Sequence, residues 1–160
     1  MSAFRLFSVP IFSAVAGVLS YYAVIFSGPF FTIISPGNVI STDPIRILLV
    51  YGILFFGALL VGGLLFFRHM TRREIAISAS LLVLYGIVLP VLQLVLQPIL
   101  GTSVGFSMYV LFRPFEWCQF FDQLLFSLLD VNIWIGVAVN LLSPYMLVLF
   151  GKKTADAAKS

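Results

Sequence analysis

The chain has 160 residues, of which 61% are hydrophobic, 16% aromatic and 9% charged, with a formal net charge of +3. A soluble domain carries about 25% charged residues, and nine Lys+Arg with six Asp+Glu cannot clothe a soluble surface of this size. Soluble, disordered, collagen-like and disulfide-rich classes are excluded, which leaves an all-α polytopic membrane protein. The basic residues lie at the edges of apolar runs, so the positive balance reads as membrane topology and not as nucleic-acid binding. One cysteine (Cys118) and one histidine (His69) exclude an internal disulfide, a cysteine zinc site and a bis-histidine haem within one chain.

The first apolar run, Leu6 to Phe26, follows Arg5 without a charge. About 20 residues cross a ~30 Å hydrocarbon core. Ala14-Val15-Ala16 mimics a signal-peptidase site, but the run is longer than a signal h-region and reads as an uncleaved span. From Ser27 to Pro44, three prolines and two glycines forbid a continuous helix. This loop is apolar (Phe30, Phe31, Ile33, Ile34) and is expected at the interface or tucked onto the bundle. Ser41-Thr42-Asp43-Pro44 is a helix-start pattern. The second span reads 47–67, between Arg46 and Arg68, and the short basic connection Arg68-His69-Met70-Thr71-Arg72-Arg73-Glu74 follows. The third reads 75–96 with Pro90 inside, and Gln97-Pro98 ends or kinks it.

Between residues 98 and 130, Pro98 to Ser107 is rich in Gly, Ser and Thr, and Met108 to Phe112 is too short to span. On a wheel at 100° per residue, Glu116, Gln119, Gln123, Ser127 and Asp130 fall within about 80° of one another. This predicts an amphipathic helix over 114–130, started by Arg113-Pro114. It either lies flat in the outer interface with its polar stripe to water, or tilts across as a short span. Each charge on a lipid-facing span costs about 2.5–3.5 kcal/mol, which favours the flat helix. The last span reads 131–150. The domain is then one four-helix unit over 1–151 with a mobile polar tail over 152–160.

Four spans put both termini and the 68–74 loop on one side. That side holds seven Lys or Arg against two (Arg46 and Arg113) on the other, so both termini are expected in the cytoplasm of a plasma or inner membrane. Each half reads span, long outer loop, span, but the match is too weak to be a repeat.

Several groups of residues could carry function. Gly52, Gly57, Ala58, Gly62 and Gly63 punctuate the second span. Small residues let helices approach closely, either within the chain or between protomers. Gln93 and Gln97 share a helix face with Tyr85 nearby, and Asn140, Ser143 and Tyr145 surround Pro144 in the last span. They read as interhelical hydrogen bonds or as a polar path for a small solute. Arg113, Glu116, Asp122 and Asp130 form an outer charged group, either a solvated face or a cation-attracting vestibule. Arg68, His69, Arg72 and Arg73 mark topology and could hold an anionic lipid headgroup.

No Ser/His/acid set, phosphate loop or HExxH pattern occurs, and no metal site or cofactor is implied. The leading expectation is a non-enzymatic membrane protein that self-associates or serves as a subunit of a larger membrane complex. Its partners would be membrane lipids and a second copy or another membrane protein. The rivals are a small transporter or channel using Gln93, Gln97, Asn140 and Tyr145, and a lipid-modifying enzyme using Glu116 or Asp122.

Overall fold

A computed structural model of the chain describes residues 3–36, 39–101, 108–127, 129 and 131–153. The described residues are mostly helical, and three helices are long and apolar enough to cross a membrane: α1 (Ser8–Phe26), α2 (Pro44–Phe67) and α3, whose membrane-length part is Arg72–Ile99 within Arg72–Leu100. A shorter apolar element, α5 (Ile133–Leu142), continues as a 3-10 helix over Ser143–Phe150. Side chains such as Leu19, Leu65 and Leu94 are about two-thirds or more exposed on the outer faces. A contiguous apolar exterior of this kind is stable in lipid and not in water.

Local chemistry sets the helix ends. Asp43 caps α2 by accepting from the Ile45 and Arg46 amides at 3.0 and 3.2 Å, with Pro44 as the first helical residue. α2 therefore begins at residue 44, three residues before the expected span. Its last turn, Gly62–Phe67, is a π-helix. Thr71 and Glu74 form a capping box at the start of α3, each side chain bonding the other's backbone N–H. α3 runs through Pro90 and Pro98 to Leu100, so Gln97-Pro98 does not end it. The apolar loop after α1 satisfies its own backbone. A short helix, Gly28–Phe31, leads into an antiparallel hairpin of β1 (Thr32–Ser35) and β2 (Val39–Thr42), with Thr32 opposite Thr42.

The bundle has a basic end and an opposite end. At the basic end the N-terminal turn, the 68–74 loop and the exit of the last helix meet. Arg5 Nη1 donates to Glu74 Oε1 at 2.8 Å, the Val9 amide donates to Ser78 Oγ at 3.0 Å, and the Lys152 amide donates to Met70 O at 2.9 Å. Lys152 is therefore tied to the bundle, and residues 154–160 of the expected tail lie outside the described residues.

The largest departure from expectation lies at 113–127. The single amphipathic helix over 114–130 is replaced by a 3-10 turn, Arg113–Cys118, followed by α4, Phe120–Ser127. A wheel at 100° assumes continuous α-geometry. A 3-10 turn advances about 120° per residue, so Glu116 leaves the polar stripe and enters the core, where it is 9% exposed. Asp130 lies outside the described residues.

Candidate functional site

The 3-10 turn is packed inside the bundle. The buried face of α1 (Val9, Ser13, Ala16, Gly17, Ser20) is turned to it. Gly17 is there because a Cβ would collide with the Arg113 carbonyl, and Gly86 because a Cβ would reach 2.6 Å from the Phe115 ring. Trp117 and Cys118 are fully buried. Trp117 stacks on Phe55 at 5.7 Å and meets Phe12 edge-on at 6.1 Å, and Phe120 stacks on the same Phe55 at 5.7 Å. Residues 12–17 are the middle of α1 and Phe55 is the middle of α2. The segment thus sits at mid-height of the bundle, with the Trp117 ring wedged between two spans. Irregular backbone at that depth is tolerated where protein surrounds it.

This insertion carries polar groups inward. The Arg113 guanidinium carbon lies 3.0 Å from the Tyr21 ring centroid and 4.5 Å from that of Tyr109, a cation–π sandwich. One turn on, the Glu116 carboxyl is buried in the same insertion. Further along, Asn140 Nδ2 donates to Asp122 Oδ2 at 2.7 Å. Asp122 Oδ1 lies over Gly136, where a Cβ would come within 2.7 Å.

Four buried side-chain atoms find no hydrogen-bond partner among the described residues: Ser13 Oγ, Arg113 Nη1, Trp117 Nε1 and Asn140 Oδ1. Three of them lie on the insertion or its partner Asn140, and Ser13 is on the α1 face that packs against it. A cavity of about 240 Å³ adjoins the Asp122 pair, between α4 and the start of α5, lined by Gln119, Asp122, Gln123, Asn132 and Gly136. It combines one carboxylate with three side-chain amides.

The residues singled out from sequence fall in separate places. Tyr85 OH donates to Leu111 O at 2.7 Å and so anchors the approach to the insertion. Tyr145 OH meets Ser80 Oγ at 2.6 Å, and Ser143 Oγ donates to Val139 O within its own helix. Gln93 is half-buried and Gln97 exposed further along α3. Only Asn140 joins Asp122. On α2, Gly52 faces Phe120, Gly62 faces Phe12 and Leu147, and Gly63 seats the Phe150 ring. A Cβ on Gly57 would meet nothing within 4 Å. At the basic end, Arg68 Nε donates to His69 Nε2 at 2.9 Å. Arg72 is engaged by the Gly151 carbonyl at 3.2 Å, and Arg73 is exposed.

Sequence reasoning missed the Asp122–Asn140 pair, the burial of Glu116 and the roles of Gln119 and Asn132. The cue for the insertion was the run Met108 to Phe112, apolar yet too short to cross and directly followed by Arg-Pro. No family model, no curated protein and no solved structure matches this chain.

Proposed function

We propose that the protein crosses a plasma or inner membrane four times, with both termini in the cytoplasm, and binds and passes a small cationic solute at Asp122. The fourth crossing would be α5 with its 3-10 continuation. Ten α-helical residues at 1.5 Å and eight 3-10 residues at about 2.0 Å reach roughly 31 Å, the thickness of the hydrocarbon core. The basic end would face the cytoplasm, because Arg5, Arg68, Arg72, Arg73, Lys152 and Lys153 gather there.

The observation that carries the functional reading is the cavity beside the Asp122–Asn140 pair. A carboxylate held at depth is expensive and marks a solute or ion pathway by default. The Gln119 side chain beside it carries a carbonyl oxygen of the kind that can replace part of a cation's hydration shell. Self-association or a subunit role rests on the small residues of α2. Gly52, Gly62 and Gly63 are used inside the chain and Ala58 packs against its core, which leaves Gly57 for such an interface.

The test is uptake of Na⁺, K⁺ and methylammonium into liposomes holding the full chain. One of these should enter above the rate of empty liposomes, and Asp122→Asn should cut that uptake at least about tenfold, ~1.4 kcal/mol in an equilibrium constant. Uptake at the empty-liposome rate for all three, or full uptake by a folded Asp122→Asn variant, overturns the reading.

A further inference from the structure

The outer face of α1 and α2 forms a trough of about 880 Å³ whose walls are apolar for most of their length, through residues such as Val15, Leu19, Gly57 and Val61. Its origin is visible in the packing. Trp117 stacks on Phe55 and abuts Phe12, so the insertion holds α1 and α2 apart from within. The two spans close only where Phe12 packs on Gly62 and Phe67. Gly57 lines the trough at a helix interior, where glycine costs about 1 kcal/mol relative to alanine. Among the described residues, no atom lies within 4 Å of a Cβ built there.

The trough is asymmetric in charge. Arg5 and His69 line one end, and no charged residue lines the rest. Arg68, bonded to His69, stands beside that end. Glu74 takes one of the five guanidinium donors of Arg5. Because His69 Nε2 accepts from Arg68, the neutral ring carries its proton on Nδ1, which remains a donor. Ser8 to Ala23 rises about 22 Å along α1, and one leaflet supplies about half of a ~30 Å core. A chain entering from the basic end would run along apolar wall for its whole length. A transmembrane helix lying in the trough would have no use for cations confined to one end.

We propose that this trough is a binding site for an anionic phospholipid, with an acyl chain along Val15, Leu19 and Gly57 and the phosphate at Arg5, Arg68 and His69. The headgroup set differs from the simple 68–73 cluster, because Arg5 lines the trough while Arg72 is turned to the Gly151 carbonyl. The site is independent of the solute reading, since none of its residues lines the Asp122 cavity.

Native mass spectrometry of the full chain, released from mixed micelles of phosphatidylglycerol and phosphatidylcholine with identical chains, tests this. The wild type should retain phosphatidylglycerol about tenfold over phosphatidylcholine. Arg68→Ala with His69→Ala should bring the two lipids level, both residues being exposed. Gly57→Leu projects into the trough from a position where an added Cβ meets nothing within 4 Å among the described residues, and it should reduce retention of both lipids. Equal retention of the two lipids by the wild type overturns the proposal. So does a folded Gly57→Leu, still monomeric or dimeric as the wild type is, that retains both lipids at the wild-type level. A dimer broken by Gly57→Leu with lipid retention unchanged would assign the trough to a second copy instead.

Discussion

The basic end and the centre of the bundle spend their polar groups in opposite ways. At the basic end, near water, Arg5 pairs with Glu74, Thr71 and Glu74 cap each other, and Arg72 and Lys152 bond the exit strand. Exposed pairs of this sort are worth about 0–1 kcal/mol. At the centre, where an unmet donor or acceptor costs about 1–3 kcal/mol, Ser13 Oγ, Arg113 Nη1, Trp117 Nε1 and Asn140 Oδ1 find no hydrogen-bond partner among the described residues. A bundle shaped for stability alone would show the reverse. Under the proposed reading, the insertion carries the function and the basic end fastens the bundle.

The strongest way to break this contrast is to evict the insertion. Gly17→Leu places a side chain where the Arg113 carbonyl lies, against backbone that cannot rotate away. Overpacking of this kind costs about 1–3 kcal/mol and sometimes more, and here it also removes Trp117 from its stack with Phe55. The expected result is a large drop in Tm in mild detergent, with loss of the monodisperse peak. An unchanged Tm would show that α1 does not carry the insertion.

A second test sharpens the role of Asp122 through its charge. Asp122→Asn keeps the size of the side chain and an oxygen that can accept from Asn140, but it removes the carboxylate that would hold a cation. Tm should change little, while cation uptake falls at least about tenfold. Uptake that survives in the folded variant would show that another group carries the cation.

The legible and illegible parts of this molecule divide along the same line. The first three spans, the Asp43-Pro44 start and the gathering of positive charge at one end were readable. Each depends on local composition or on residues within one turn. The Thr71-Glu74 box is equally local, a Thr-x-x-Glu pattern within one turn. The insertion was not readable. Gly17 meets Arg113, and Asp122 meets Asn140, across separations that no helical or strand period encodes. The 3-10 turn then rotated Glu116 off the stripe that an α-helical wheel assigned to it. Tyr85 and Asn140 stood out as polar groups in apolar spans, but their partners, Leu111 O and Asp122, belong to that insertion.

The smallest effect should come from Arg5→Ala. Its guanidinium is half exposed and contacts Glu74 at 2.8 Å, so removal should lower stability by about 0.2–1 kcal/mol, shrinking as salt is added. The capping box survives, because its two bonds, Thr71 N–H to Glu74 Oε2 and Glu74 N–H to Thr71 Oγ1, do not involve Arg5. Solute uptake should stay at the wild-type rate, since Arg5 is at the far end of the bundle from the Asp122 cavity. A loss of uptake with Tm unchanged would mean that the basic end acts on the solute directly. The two regions would then be opposite mouths of one path, and not a fastening and a site.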